Sequence, residues 1–306
     1  MEVLNTVAPV FILIGIGALL FRHFLDAAVL KGVNWLTYWV GLPVLLFNSI
    51  AGADLVNPAA IRVFLVVLGA TLITVISAAI AVRLTGLRRA SGGAFLQATF
   101  RGNLAFIGIP VVIFAYPESS TAGTLAVLTL APMMLVYNVI SVLVLQRSQT
   151  DSRGWEMART LLSALFANPL IVGSALGAIV AVAGVELPFF LQRSMGVLGE
   201  TAPGLALISI GGALAVVKLG GRMKPAVSAS LFKVALCPLA GVLLAYLMGL
   251  QGEALGVALI FLAAPTAAAS FILAQQFGGD EGLASGAIVI STFFSIGSLS
   301  LVLAFC

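Results

Sequence analysis

The stretch FRGNLAFIGIP (residues 100–110) decides the fold, because it places polar and helix-breaking residues inside a long apolar run. Arg101, Gly102 and Asn103 put a charge, a flexible residue and an amide where a lipid-spanning helix is ordinarily apolar. Pro110 lacks an N–H and so removes one helical hydrogen bond. At membrane depth, irregular backbone is tolerated only against protein or a water-filled cavity, and ionisable residues mark functional sites. The stretch therefore predicts a membrane helix that is broken around a polar site.

The rest of the composition is typical of a polytopic helical membrane protein. Of 306 residues, 61% are hydrophobic and 8% are charged, whereas soluble domains carry about 25% charged residues. The formal net charge of +4 is shared among short loops and does not indicate nucleic-acid binding. Cys237 and Cys306 alone imply no disulfide framework. No Lys or Arg precedes Arg22, so the first apolar run is expected to be a membrane span and not a cleaved signal.

Apolar runs of about 20 residues, long enough to cross a bilayer, recur along the whole chain. They lie at 4–22, 34–53, 60–82, 93–115, 121–146, 158–183, 194–217, 228–249, 254–276 and 283–305. The sequence therefore predicts ten transmembrane helices. The connections between them are too short to form a soluble domain.

Lys and Arg concentrate in alternate loops, which predicts the orientation of the chain. The loops that follow odd-numbered runs contain Arg22, Lys31, Arg83, Arg88, Arg89, Arg147, Arg153, Arg159, Lys218, Arg222 and Lys224. The other loops contain the acids Asp54, Glu118, Glu186 and Glu253, together with Arg62 and Arg193. The loop after the ninth run is an exception, because it is acidic at Asp280 and Glu281. The odd-to-even loops are expected to be cytoplasmic, so both termini should face outward from the cell (inner) membrane.

The first five runs and the last five are related by sequence at an offset of 160 residues. Pro9 then falls on Pro169, and Pro43 falls on Pro203. The same offset matches Gly17 with Gly177, Ala18 with Ala178, Leu45 with Leu205, Ser49 with Ser209, Gly52 with Gly212 and Arg62 with Arg222. With one more residue of offset, Asn103 falls on Ala264, next to Pro265. The chain is therefore expected to contain two five-helix repeats, at 1–147 and 158–306.

Five is an odd number of helices, so the second repeat must be inverted relative to the first. Inverted repeats with discontinuous helices near the midplane are typical of secondary transporters. The fourth and ninth runs are predicted to break at corresponding points, near 102–106 and 261–265. If the two broken helices cross, half-helix N-termini point at a shared centre, where their partial positive charge favours an anion.

Four segments carry a resemblance to a known family. They are GLPVLLFNSI (41–50), RGNLAFIGIP (101–110), AAPTAAASFILAQQFGGD (263–280) and ASGAIVISTFFS (284–295). Together they span essentially the whole chain, which resembles the auxin efflux carrier family, in particular its short bacterial members. The resemblance implies a fold like that of bile-acid/sodium symporters and sodium/proton antiporters. The fourth and ninth helices would cross in a core of helices 3–5 and 8–10, and helices 1, 2, 6 and 7 would form a scaffold.

The resemblance also implies organic-anion substrates, either auxin-like compounds or dicarboxylates such as malonate or malate. We expect a secondary carrier that exports them by elevator-type alternating access, with the anion and the lipid bilayer as its partners. Homodimerisation through the scaffold is left open, and no cofactor, metal or nucleic acid is expected. A channel stays a weaker alternative. An intramembrane enzyme is disfavoured because the sequence has neither an HExxH motif nor paired intramembrane aspartates.

Asn103 and Arg101 are the main site candidates. Asn103 offers an acceptor and two donors, and it would bind a substrate carboxylate, cap a freed half-helix, or only satisfy broken backbone. Arg101 has three alternatives: a structural ion pair with Glu200, a clamp on the substrate carboxylate, or a snorkelling arginine. Glu200 is the one carboxylate placed well inside the membrane by the sequence, so it is the candidate proton carrier.

Polar residues near the expected breaks complete the candidate substrate site. They are Asn48, Ser209, Asn138, Thr266 and Ser270, with Tyr137, Ser291, Thr292 and Ser295 as further lining candidates. The breaks themselves are assigned to Gly102, Pro110, Pro265, Pro43 and Pro203. The alternative is that these side chains only join helices or fill proline kinks.

The driving force is expected to be an ion gradient or the membrane potential, because the sequence contains no P-loop. We favour the membrane potential, since neither broken run has a carboxylate near its break to bind sodium. Proton coupling through Glu200 and sodium coupling remain the alternatives.

Overall fold

The computed structural model describes residues 2–52, 57–146, 168–216 and 223–306. Their helices are α1 (Glu2–His23), α2 (Ala27–Ala51), α3 (Pro58–Thr85), α4 (Arg89–Phe100), α5 (Leu104–Ala115), α6 (Ser120–Gln146), α7 (Pro169–Ala183), α8 (Phe189–Val216), α9 (Met223–Leu247), α10 (Gly252–Ala263), α11 (Ala269–Gln276) and α12 (Glu281–Phe305). Within those ranges every named element is helical, and one isolated β-bridge is the only extended pairing. The fourth predicted run is divided into α4 and α5, and the ninth into α10 and α11.

Six of the described helices are long and apolar enough to cross a membrane, judged by length and composition: α2, α3, α6, α8, α9 and α12. Shorter apolar helices cover Val7–His23, Leu104–Ala115, Pro169–Ala183 and Gly252–Ala263. The predicted class, an all-helical multi-pass membrane protein, is confirmed. The arrangement as ten spans in two inverted repeats stays a prediction.

Several residues used for the orientation and the repeat lie outside the described residues. They are Asp54, Arg147, Arg153, Arg159, Lys218 and Arg222. Residues 158–167, the first part of the sixth predicted run, also lie outside the described residues. The predicted orientation of the termini therefore stays a prediction as well.

Three helices contain a π-turn, in which backbone hydrogen bonds span five residues instead of four. The π-turns are Thr37–Gly41 in α2, Leu104–Gly108 in α5 and Phe232–Leu236 in α9. Each is followed, after one residue, by a proline: Pro43, Pro110 and Pro238 respectively. Proline has no N–H for the carbonyl four residues earlier, and the wider turn accommodates this loss. In α9 the carbonyl of Val234, four residues before Pro238, accepts a hydrogen bond from Ser298 Oγ at 2.5 Å.

The structure corrects the sequence interpretation of three prolines. Pro43 and Pro110 were expected to break their helices, but each helix continues through its proline after a π-turn. Pro203 lies inside α8, which runs without interruption from Phe189 to Val216. A proline in these helices changes the hydrogen-bond pattern locally and does not end the helix.

The chain divides into two compact units. The first comprises the described residues of Met1–Ile61, Ala105–Pro132 and Ala164–Val217, and the second those of Arg62–Leu104, Met133–Ser163 and Lys218–Cys306. Each unit draws on both halves of the sequence. The repeats predicted at 1–147 and 158–306 divide the chain by sequence, whereas the two units divide it by contacts in space. The predicted repeats therefore stay a prediction.

Close helix packing in the first unit depends on glycine. Helices α1 and α8 pack together, and a Cβ at Gly17 or at Gly211 would overlap main-chain atoms of Ile208 or Ile14. Helices α2 and α7 also pack together, with Gly173 against the main chain of Pro43. Small residues let membrane helices approach closely enough for dispersion contacts between backbones. These glycines therefore determine the spacing of the helices.

One buried cluster in the second unit consists mainly of alanine. The buried cluster consists of Ala78, Ala94, Phe95, Ala98, Ala226, Ala229, Leu283 and Ala287, from helices α3, α4, α9 and α12. Asp280 joins two of these helices at their starts: one carboxylate oxygen caps α12 at the N–H of Leu283 (2.9 Å), and the other accepts from Ser91 Oγ (2.7 Å). The acidic loop that departs from the charge rule therefore has a structural use, because it anchors the beginning of α4.

Candidate functional site

Helix α4 ends at Phe100 and α10 ends at Ala263, and the segments that follow them pair with each other. Gly102 and Thr266 form an antiparallel bridge. The N–H of Asn103 donates to the carbonyl of Pro265 at 2.7 Å, and the N–H of Ala267 donates to the carbonyl of Arg101 at 2.8 Å. The interruptions cover residues 101–103 and 264–268, close to the predicted 102–106 and 261–265. The two breaks satisfy each other's backbone, and we call their meeting point the crossing.

Thr266 satisfies one of the carbonyls left over at the ends of the broken helices. Its hydroxyl donates to the carbonyl of Ala98 at 2.8 Å, which in an unbroken helix would bind the N–H of Gly102. The N–H of Thr266 donates to Ser291 Oγ at 3.0 Å. Thr266, which was a predicted site residue, therefore acts first as a cap for α4. Ser291 from α12 therefore lies at the crossing, and its role in lining a substrate site stays a prediction.

Arg101 is 7% exposed, and its guanidinium points at α6. Nη1 donates to the carbonyl of Tyr137 at 3.3 Å and to Ser141 Oγ at 2.9 Å, and Nη2 donates to Asn138 Oδ1 at 2.8 Å. A planar guanidinium suits several fixed acceptors of this kind. Arg101 thereby fixes α6 to the crossing and brings the predicted residue Asn138 to it. The snorkelling alternative is wrong, because the side chain is buried among protein oxygens.

Lys233 is a second buried cation at the crossing, and the sequence interpretation missed it. The side chain is 0% exposed, and Nζ donates to the carbonyl of Leu262 in α10 at 2.5 Å. A Cβ added to Gly102 would lie 3.2 Å from Cε of Lys233 and 3.4 Å from Nζ. A lone lysine inside the apolar run 228–249 was the signal that could have found it, by the argument that singled out Arg101.

Asn103 and Ser270 also lie at the crossing. Asn103 is 6% exposed, and its backbone is fixed by Pro265. Ser270, in the first turn of α11, is buried, and its Oγ has no hydrogen-bond partner among the described residues. The same holds for both amide atoms of Gln97, one helical turn before Arg101. Buried polar groups are nearly always paired. The hydroxyl of Ser270 and the amide of Gln97 are therefore candidates to bind a polar ligand.

Three predicted site residues belong to the first unit and are described there. Asn48 is half-buried in α2, and Ser209 is buried in α8 without a hydrogen-bond partner among the described residues. Glu200 is exposed, and it is the twelfth residue of α8 because that helix begins at Phe189. Its predicted roles, an ion pair with Arg101 or a proton site, stay predictions.

The crossing therefore combines two buried cationic side chains with amide and hydroxyl groups. Arg101 precedes Gly102 in the sequence, the end of the Lys233 side chain lies against Gly102, and the hydrogen bonds described above for the two side chains go to neutral oxygens. Opposite charges attract more strongly in a low-dielectric interior than in water. The two basic side chains therefore favour a negatively charged ligand at the crossing. The arrangement is suited to binding a small anion, in particular a carboxylate.

Nearly the whole chain is similar to a family of known proteins, and part of it is similar to a plant protein. A family model described as "Membrane transport protein" matches residues 2–303 of this chain. A rice protein (Oryza sativa subsp. japonica) named "Probable auxin efflux carrier component 5c" is similar, with 31% identity over 149 residues. The matched region covers 46% of this chain and 40% of the rice protein. The chain thus spans less than half the length of that relative.

Proposed function

This chain belongs to the auxin efflux carrier family of membrane transport proteins, and we propose that it exports small organic anions as a secondary carrier. Membership of a family of membrane transport proteins supports a transporter and not an enzyme. The cell (inner) membrane, with both termini outside, is the location we propose. The substrates we propose are carboxylates, either auxin-like acids or short dicarboxylates.

The observation that carries the proposal is the pair of buried cations, Arg101 and Lys233, at the crossing of two broken helices. Asn103 adds a buried amide next to them, and an amide can donate two hydrogen bonds to a carboxylate. Charge-assisted hydrogen bonds of this kind are about twice as strong as neutral ones. We therefore place the substrate carboxylate beside Asn103, within the positive field of Arg101 and Lys233.

An elevator-type movement suits a site of this construction. The hydrogen bonds that hold the two interruptions together, and those that fix Arg101 to α6, all lie within the second unit. The site can then move as one body with its bound anion, without breaking its own backbone bonds. This mechanism and the homodimer stay proposals. Measuring efflux from proteoliposomes depends on neither of them.

We predict that the membrane potential drives export. The interior of a cell is negative, so each negative charge is pushed outward by about 2.3 kcal/mol per 100 mV, which corresponds to an accumulation ratio of roughly 50. Proteoliposomes loaded with labelled malonate, malate or indole-3-acetate, in sodium-free potassium buffer, test this with a valinomycin diffusion potential. Efflux of the transported acid should accelerate when the lumen is made negative and slow when it is made positive.

The same vesicles separate the alternatives. Efflux that ignores the potential and requires sodium would contradict electrogenic export. Efflux that follows a pH gradient and is lost in Glu200→Gln would support proton coupling instead. Vesicles without protein give the leak rate, which must be subtracted for the membrane-permeant acids.

A further inference from the structure

The amino group of Lys233 lies at the carboxyl end of a broken helix. It lies in the π-turn Phe232–Leu236, its side chain is completely buried, and Nζ donates to the carbonyl of Leu262 at 2.5 Å. Leu262 belongs to the last turn of α10, which ends at Ala263. The last carbonyls of a helix carry partial negative charge and lack intrahelical donors. The ammonium is therefore placed at the negative end of α10.

The carbonyl of Leu262 is available because the crossing redirects its usual donor. In a continuous helix the N–H of Thr266 would donate to Leu262, four residues earlier. At the crossing this N–H donates to Ser291 Oγ at 3.0 Å instead. Lys233 takes its place, so a side chain of α9 replaces a backbone donor of the broken helix.

The first interruption makes room for the same ammonium. A Cβ at Gly102 would lie 3.2 Å from Cε and 3.4 Å from Nζ of Lys233, which is closer than side-chain carbons ordinarily pack. A residue larger than glycine would therefore require the end of the lysine side chain to shift by a few tenths of an ångström. The end of the lysine side chain thus lies against the last turn of α10 and against Gly102 in the first interruption.

In secondary transporters with broken helices, the carbonyls of unwound segments and half-helix C-termini coordinate the coupling cation. The ammonium of Lys233 occupies such a position and carries the same single charge as a sodium ion. We infer that Lys233 is a tethered substitute for a coupling cation, and that the pocket around its ammonium binds a monovalent cation once the lysine is removed. The inference rests on the proposed function and deepens it, since a built-in cation makes transport independent of an external one.

The test replaces Lys233 by alanine in the full-length protein, with Lys224→Ala, an exposed lysine of the same helix, as the matched control. The replacement removes three methylene groups and the ammonium, which n-propylammonium reproduces. Thermal unfolding in detergent is measured with added n-propylammonium, sodium or potassium chloride, against choline chloride at equal ionic strength. Lys233→Ala should gain roughly 3–5 °C in a saturable manner. The wild type and Lys224→Ala should not respond.

Transport gives the second measurement. Without a small cation, the anion flux of Lys233→Ala should be at least about tenfold lower than that of the wild type. Adding n-propylammonium or sodium should restore part of this flux. Wild-type flux in Lys233→Ala without added cation would overturn the inference. A folded variant that responds to none of the three cations, in stability or in flux, would also overturn it.

Lys233→Met covers the case in which alanine prevents folding. Methionine keeps the apolar bulk of the side chain without its charge, so this variant should fold, lose flux and ignore n-propylammonium. A Lys233→Met protein with normal flux would contradict the inference. If the wild type itself moves no carboxylate, the proposed function fails, whereas the thermal measurements on Lys233→Ala still decide whether a cation binds.

Discussion

Replacing Asn103 by alanine is expected to reduce organic-anion flux by about 10- to 100-fold and to leave the protein folded. The side chain is 6% exposed, and the backbone of the same residue is bonded to the second interruption. Losing a hydrogen bond to a charged group costs about 1.5–3 kcal/mol. The backbone bond from residue 103 to the carbonyl of Pro265 does not need the amide side chain, so the crossing itself should survive.

The measurements are initial flux in proteoliposomes and melting temperature in detergent. Asn34→Ala is the matched control, because Asn34 is a partly buried asparagine of α2 outside the crossing. The control should retain both flux and melting temperature. Unchanged flux in Asn103→Ala would move the substrate site away from the crossing. Equal loss of flux and of folded protein would assign the residue to structure alone.

Replacing Gly211 by alanine is expected to destabilise the protein, although alanine is normally the better residue in a helix. The new Cβ would fall on the main chain of Ile14 and Ala18 in α1. Overpacking of a well-packed interface costs about 1–3 kcal/mol, and here the obstacle is backbone that has no other rotamer. We expect α1 and α8 to separate, with a melting temperature lowered by several degrees.

Gly204→Ala in the same helix is the matched control, since a Cβ there would have nothing within 4 Å. Alanine should be neutral or stabilising at that position, by up to about 1 kcal/mol. The comparison separates helix propensity from packing, because both variants make the same chemical change in α8. Equal melting temperatures for the two variants would show that the close approach of α1 and α8 is not needed for stability.

The sequence predicted the existence of the breaks better than their positions. Arg101, Gly102 and Asn103 interrupt an apolar run, and that pattern correctly indicated the crossing. The second interruption begins three residues later than expected, at residue 264, because its limits are set by hydrogen bonds to the first interruption. Such pairing is made in three dimensions, and helical periodicity carries no information about it.

The hydrogen-bond partners of the charged residues could not be predicted from the sequence, for a similar reason. Arg101 binds the oxygens of Tyr137, Asn138 and Ser141, and the sequence had not indicated these acceptors. Neutral oxygens are too common in a membrane helix to be recognised as acceptors before the fold is known. Lys233 was hidden because averaging hydropathy over about 20 residues lets one lysine pass unnoticed in an apolar segment.

The π-turn at Phe232–Leu236 contains one residue more than the α-helical turn that it replaces. Each residue rotates an α-helix by about 100°, so one gained residue changes the angular register of the two parts of α9 by that amount. The offset between the sequence halves is 160 at Arg62 and Arg222, and it is 161 at Asn103 and Ala264. In the second half of the sequence the π-turn lies between Arg222 and Ala264. One residue inserted there is enough to change the offset from 160 to 161. Deleting one residue from this turn would rotate Lys233 away from Leu262 while leaving every chemical group in the protein's crossing intact.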